Sequence, residues 1–141
     1  MVKKELIRPQ AVILPLLRDG LADYPRELTI GSWEEDVDYR LFPLINVRRL
    51  GGFNHPRRPE LMTTPVIELT VYDNVDLPTT ERLYNSALMV LFEAVDMQTE
   101  TPKGYLHSIK ETMGSTPFTS PFPDSWRVQG LVKLSIRPPR T

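Results

Sequence analysis

The sequence predicts an α+β fold: a mainly antiparallel or mixed sheet of four to five strands with two helices packed on one face. Three segments carry that prediction. Ser125 to Arg137 alternates, with Trp126, Val128, Val132, Leu134 and Ile136 on one parity and Arg127, Gln129, Lys133, Ser135 and Arg137 on the other. A strand has a side-chain period of two, so this one has a dry face and a wet face and belongs to a sheet covered on one side. Val66 to Tyr72 is a second β-rich run. Between them Tyr84, Ala87, Leu88, Leu91 and Val95 recur every three or four residues, the spacing of one helix face.

Taken in chain order, residues 10 to 22 read as the first helix, with Pro9 at a position where its missing N–H costs nothing. Pro15 is expected to kink this helix or to begin a shorter one. Leu28 to Ser32 is a short strand, and the acidic run after it is a loop. Leu41 to Leu50 is the second strand; its Pro43 implies an edge position or a bulge, and Gly51-Gly52 ends it. Phe53 to Pro65 is a loop or hairpin tip, and Val66 to Tyr72 the third strand. Thr79 or Thr80 caps the second helix, which runs to about Asp96 or Gln98, with Leu83, Val90 and Phe92 widening its apolar stripe. Gly104 to Met113 is the fourth strand, with Tyr105, His107 and Ile109 on one side. Gly114 to Asp124 is a Pro/Phe loop that leads into the last strand. The order is α-β-β-β-α-β-β. Short connections favour antiparallel pairing, and both helices are expected on the dry face.

The length, 141 residues, suits one domain spanning 1–141 with its own core. There is no cysteine, which excludes disulfides, thiolate metal sites and cysteine nucleophiles. Net charge is -1, so no global field draws in nucleic acid or membrane. No apolar run approaches the roughly 20 residues of a membrane helix. Catalytic chemistry has few candidates. His55 and His107 are the only histidines, no metal-ligand spacing is visible, and Gly51-Gly52 lacks a phosphate-loop frame. No catalytic, cofactor-binding or metal-binding residues are therefore assigned, and no enzyme activity is expected.

Segregated charge and a stiff loop remain. Glu34, Glu35, Asp36 and Asp38 form an acidic run, and Arg48, Arg49, Arg57 and Arg58 a basic set. Paired within one chain they would be a surface network of small value. Paired between chains they would be complementary patches at separate places, the arrangement of a head-to-tail contact. The Pro/Phe loop reads as a proline-stiffened arm placing Phe118 and Phe122 on a neighbour, or as a crossover folded on its own domain. The wet parity of the last strand, Arg127 and Lys133 above all, is a further candidate surface for a neighbouring subunit. A small nucleic-acid-binding module using the four arginines is the rival reading.

These features resemble the tail-terminator, or tail-completion, proteins of long-tailed bacteriophages, particularly phages of actinobacteria. The resemblance rests on a first helix leading through Leu17-Arg18-Asp19-Gly20-Leu21 to Gly31-Ser32, and on the strand pair Phe42 to Leu50 and Val66 to Tyr72 around Gly51-Gly52. It rests further on the long helix after Thr79, and on a Pro-rich loop before Asp124-Ser125-Trp126-Arg127-Val128 that closes on Leu134-Ser135-Ile136-Arg137. The resemblance implies a structural virion protein at the head-proximal end of the tail, assembled in the host cytoplasm. It implies a homo-oligomeric, hexameric ring on the major tail tube protein that stops tube growth and docks to the head–tail connector or neck protein. DNA would pass through the lumen without sequence-specific binding. A neck or connector subunit of the same virion is the alternative within that setting.

Overall fold

The computed structural model describes residues 5–32 and 41–140. Seven elements follow in order: α1 (Pro9–Gly20), β1 (Thr29–Gly31), β2 (Leu44–Asn54), β3 (Thr63–Asp73), α2 (Leu77–Met97), β4 (Tyr105–Phe118) and β5 (Trp126–Arg137). The five strands form one sheet in the order β1-β2-β3-β5-β4, with β1 parallel to β2 and the other pairs antiparallel. The predicted α+β class and element order both hold.

One main core lies between the sheet and the two helices. Val12, Ile13 and Leu17 of α1 and Leu83, Tyr84 and Leu91 of α2 are fully buried against Ile45, Val47, Ile67, Leu69, Val132 and Leu134. Pro15 does not divide α1, which runs unbroken from Pro9 to Gly20. An interior proline costs about 3 kcal/mol, and burial of Val12, Ile13, Leu16 and Leu17 around it offsets that. The helices approach closely where Gly20 meets Val90; a Cβ at position 20 would lie 2.5 Å from Val90 Cγ1. Tyr84 lies beneath β5, and Gly130 gives it room: a Cβ there would lie 1.8 Å from the phenolic oxygen. That hydroxyl is buried without a hydrogen-bond partner among the described residues, and burial pushes its pKa up to about 12.

Several boundaries move for identifiable reasons. Pro43 is neither on an edge strand nor in a bulge. It precedes β2, follows a cis peptide bond from Phe42, and its carbonyl accepts the Thr29 N–H at 3.0 Å. Gly51-Gly52 does not end β2. The two glycines take φ values of 112° and 93°, and the register with β3 shifts between Arg49 and Gly52, so they form a bulge and the strand continues to Asn54. The α2 cap is Asp76, not Thr79 or Thr80. Its Oδ1 accepts the Thr79 N–H at 2.7 Å, and Pro78 sits in the first turn. On β4 a register shift between Leu106 and Ser108 breaks the predicted parity, so Leu106 is buried while His107 is exposed. β4 also runs five residues beyond Met113, to Phe118. Its Pro117 is tolerated because β4 is an edge strand. Trp126, expected on the dry face, lies exposed at the end of the sheet opposite Asp73.

The connection into β1 is fastened at that same end. Arg26 donates two hydrogen bonds to the buried Asp73 carboxylate, at 2.7 and 3.0 Å. This paired contact raises the pKa of the guanidinium above its ordinary value.

Candidate assembly surfaces

The open face of the sheet, opposite the helices, carries the wet parity of every long strand. Antiparallel register sets its rows. One row places Asn46, Thr70, Gln129 and Thr116 side by side, and another places Leu44, Tyr72, Arg127 and Phe118. In the first row the Thr70 hydroxyl donates to Gln129 Oε1 at 3.2 Å, and the Arg127 guanidinium donates to the same oxygen. In the second, Arg127 lies over the Phe118 ring, 5.2 Å from its centroid. Lys133 lies over the Phe53 ring at 5.7 Å and stands directly opposite Lys110 on β4. Like charges in register repel, so this pair is a local cost that the fold tolerates on its open side.

The two phenylalanines of the expected arm have separate fates. Phe118 belongs to β4 and is 41% exposed. Phe122 is only 7% exposed and folds onto its own domain in a small cluster with Leu44 and Tyr72, with Phe42 packed against them. Its ring centroid lies 5.0 Å from that of Tyr72 and 6.2 Å from that of Phe42. The arm reading therefore fails for Phe122 in this conformation. With Gly114 to Phe118 taken into β4, the connection has only residues 119–125 to span. Its Ser125 hydroxyl donates to the Phe122 carbonyl at 2.7 Å, and the Phe122 N–H donates to Ser120 Oγ at 3.2 Å. A turn this closely fastened holds its ring inward.

The basic set divides between strand and tip. Arg48 lies opposite Glu68 of β3, while Arg49 donates from Nε to the Gly51 carbonyl at 2.9 Å. Arg57 and Arg58 are exposed at the tip of the β2–β3 hairpin. There His55 Nδ1 accepts both of their backbone N–H groups, at 3.2 and 3.1 Å. His55 is thus a turn-forming residue. Leu50, Phe53 and Leu61 are exposed around these arginines. Glu34, Glu35, Asp36 and Asp38 lie outside the described residues.

One surface escaped sequence reasoning. Met89, Phe92 and Met97 on the outer side of α2 are 56%, 38% and 75% exposed. Together with Ile109 of β4 and the acidic Glu93 and Asp96, Met89 and Phe92 line a shallow hollow along the β4 edge. The sequence pattern counts Phe92 in the widened apolar stripe, but the structure leaves it exposed. The signal was its angular offset from Tyr84, Ala87 and Leu91, which the continuous apolar run masks.

Among the described residues no group of three or more His, Asp or Glu side chains is placed to hold a metal ion. No helix of the described residues is long and apolar enough to cross a membrane.

Comparison with known proteins bears directly on these surfaces. The sequence profile described as "Phage tail termination protein" matches residues 5–141. The chain is 52% identical to the "Gene 22 protein" of Mycobacterium phage L5 over 136 residues, which is 95% of each chain. It is 47% identical to the "Gene 22 protein" of Mycobacterium phage D29, again over 136 residues and 95% of each. The family match along residues 5–141 and the two relatives lead to one conclusion: the chain belongs to the phage tail termination protein family and is a structural protein of the virion tail.

Proposed function

We propose that this protein forms a homo-oligomeric ring, hexameric in the assembled tail, at the head-proximal end of the tail tube. The ring stops addition of further tube subunits and offers its outer surface to the head–tail connector. DNA passes through the lumen, held there by no sequence-specific contact. The observation that carries this reading is the family match along residues 5–141.

The surfaces support it in physical terms. A ring subunit needs two different lateral surfaces that fit one another, because head-to-tail contacts repeat around a closed ring. It also needs a surface that copies a tube subunit's contacts on one side and lacks them on the other. The open face, with Arg48, Arg127, Lys133 and Phe118, and the hairpin tip, with Arg57 and Arg58, are the candidate contact regions. Arg49 is engaged locally by Gly51, and Phe122 acts from below as part of the support.

Light scattering of the purified protein alone and with the major tail tube protein tests the reading, with tube lengths measured by electron microscopy. The expected result is a discrete ring on tube ends and tubes of one length. A strict monomer in both conditions, with tube length uncontrolled, would sink it. Assembly on an isolated connector with no effect on tubes would instead favour a neck subunit.

A further inference from the structure

We propose that the hollow between α2 and β4 receives the arginine-bearing β2–β3 hairpin of a second copy of this chain. The inference rests on the ring reading above and names the two surfaces that meet in it.

Both surfaces are apolar centres with charged rims, and the rims have opposite sign. Met89 and Phe92 stand exposed on the α2 side of the hollow, flanked by Glu93 and Asp96. On the hairpin, Phe53 and Leu61 stand exposed beside Arg57 and Arg58. Exposed apolar clusters with polar rims mark interaction sites. The opposite charge selects this pairing over a contact of either patch with itself.

The acidic side of the hollow lies on the last turns of α2, where Glu93 and Asp96 add to the negative end of the helix. The helix end itself is met by the chain's own Arg140, which donates to Gln98 at the C-cap and pairs with Glu100 at 3.6 Å. A guanidinium from outside meets the carboxylates that line the hollow.

The hairpin is built to deliver one. His55 accepts the Arg57 and Arg58 N–H groups, the Leu61 N–H donates to the Arg58 carbonyl at 3.0 Å, and the His55 N–H donates to the Met62 carbonyl at 2.9 Å. A tip fastened in this way loses little conformational freedom on docking.

Topology makes the contact propagate. The hollow borders β4, one edge of the sheet, whereas the hairpin is built from β2 and β3, which β5 separates from β4. A copy that uses its hairpin in one contact still presents its hollow to the next, so the contacts run head to tail, the arrangement a closed ring requires.

Because the natural chain has no cysteine, single cysteines report contacts cleanly. Arg58→Cys and Glu93→Cys variants are assembled with tail tubes, separately and mixed, and treated with a short bis-maleimide. The expected result is a cross-linked dimer only in the mixture. An Arg58→Cys/Glu93→Cys double variant should give a ladder ending at the ring number. Cross-linking within either single variant alone would show a patch meeting itself and would overturn the pairing. A ring seen by light scattering with no cross-link in the mixture would overturn it too, while leaving the ring intact. Absence of both ring and cross-link would remove this inference together with the reading on which it rests. Both positions are exposed, and circular dichroism of each variant confirms that a missing cross-link is not a missing fold.

Discussion

The two faces of the sheet bury side chains by different means. On the helix-covered face Ile67, Leu69, Val132 and Leu134 are fully buried under α1 and α2, and the Tyr84 hydroxyl among them makes no hydrogen bond to any described residue. On the open face Thr70 and Gln129 are also buried, yet they sit in a row joined by hydrogen bonds, beside the Arg127–Phe118 and Lys133–Phe53 contacts. At one end of that face the 119–125 turn folds Phe122 onto Tyr72 and Leu44. Alternation along a strand tells which parity is apolar. It does not tell whether the other parity stays wet, because neighbouring long polar side chains and one returning loop can cover it.

The sharpest way to break the comparison is to cut one large side chain from each face. Leu134→Ala leaves a cavity between helices and sheet, and about 3 kcal/mol of stability should be lost. Urea denaturation followed by circular dichroism measures this. Phe122→Ala should cost less, about 2 kcal/mol, since its small cluster lies at the sheet's end and loses mainly the transfer term. If the same urea titration gave the Phe122 variant the larger loss, the open-face cluster would have to count as part of the main core.

The smallest expected effect concerns a helix that covers only one of the faces. Asp76→Ala removes the α2 cap and should lower stability near neutral pH by less than either of the two cuts above. Hydrogen bonds from Thr79, through its side chain first and then its backbone N–H, hold the Asp76 carboxyl below its ordinary pKa. A carboxyl depressed in the folded state stabilises fully above its unfolded value, about 3.9. That contribution fades as pH falls through the folded value. The gap between wild type and variant should therefore close on acidification below about pH 4. A gap that stayed constant down to pH 2 would mean the charge on Asp76 does not matter to the cap.

Element order and the parity of β5 from Val128 onward were legible because they depend on local periodicity. The alternation from Val128 to Ile136 and the three-and-four spacing of Tyr84, Ala87 and Leu91 survive any tertiary arrangement. Boundaries failed where one residue type supports two geometries. Gly51-Gly52 serves equally as a stop or a bulge, and only the pairing of Gly52 with Pro65 decides. Pro117 looked like loop punctuation because nothing local shows that its strand is an edge. The candidate surfaces were half legible. Like charges close in sequence, such as Arg57 and Arg58, are visible directly. The hollow joins Phe92 to Ile109 across a helix and a strand, and no local pattern announces that neighbourhood.

Gly130 and Tyr84 carry a last consequence. A Cβ at position 130 would come within 2.8 Å of the Tyr84 ring carbon Cζ as well as meeting its oxygen, so replacing the tyrosine by phenylalanine would not make room. It would also lie 2.9 Å from the Met113 carbonyl, so β4 must yield too. The two positions, far apart in the chain, are thus bound in their permissible variation: a larger residue at 130 demands a shorter one at 84 and a displaced β4. Transplanting α2 between relatives without its matching strand would break that bond, and the first symptom would appear at the β4 edge, on the outside of the molecule.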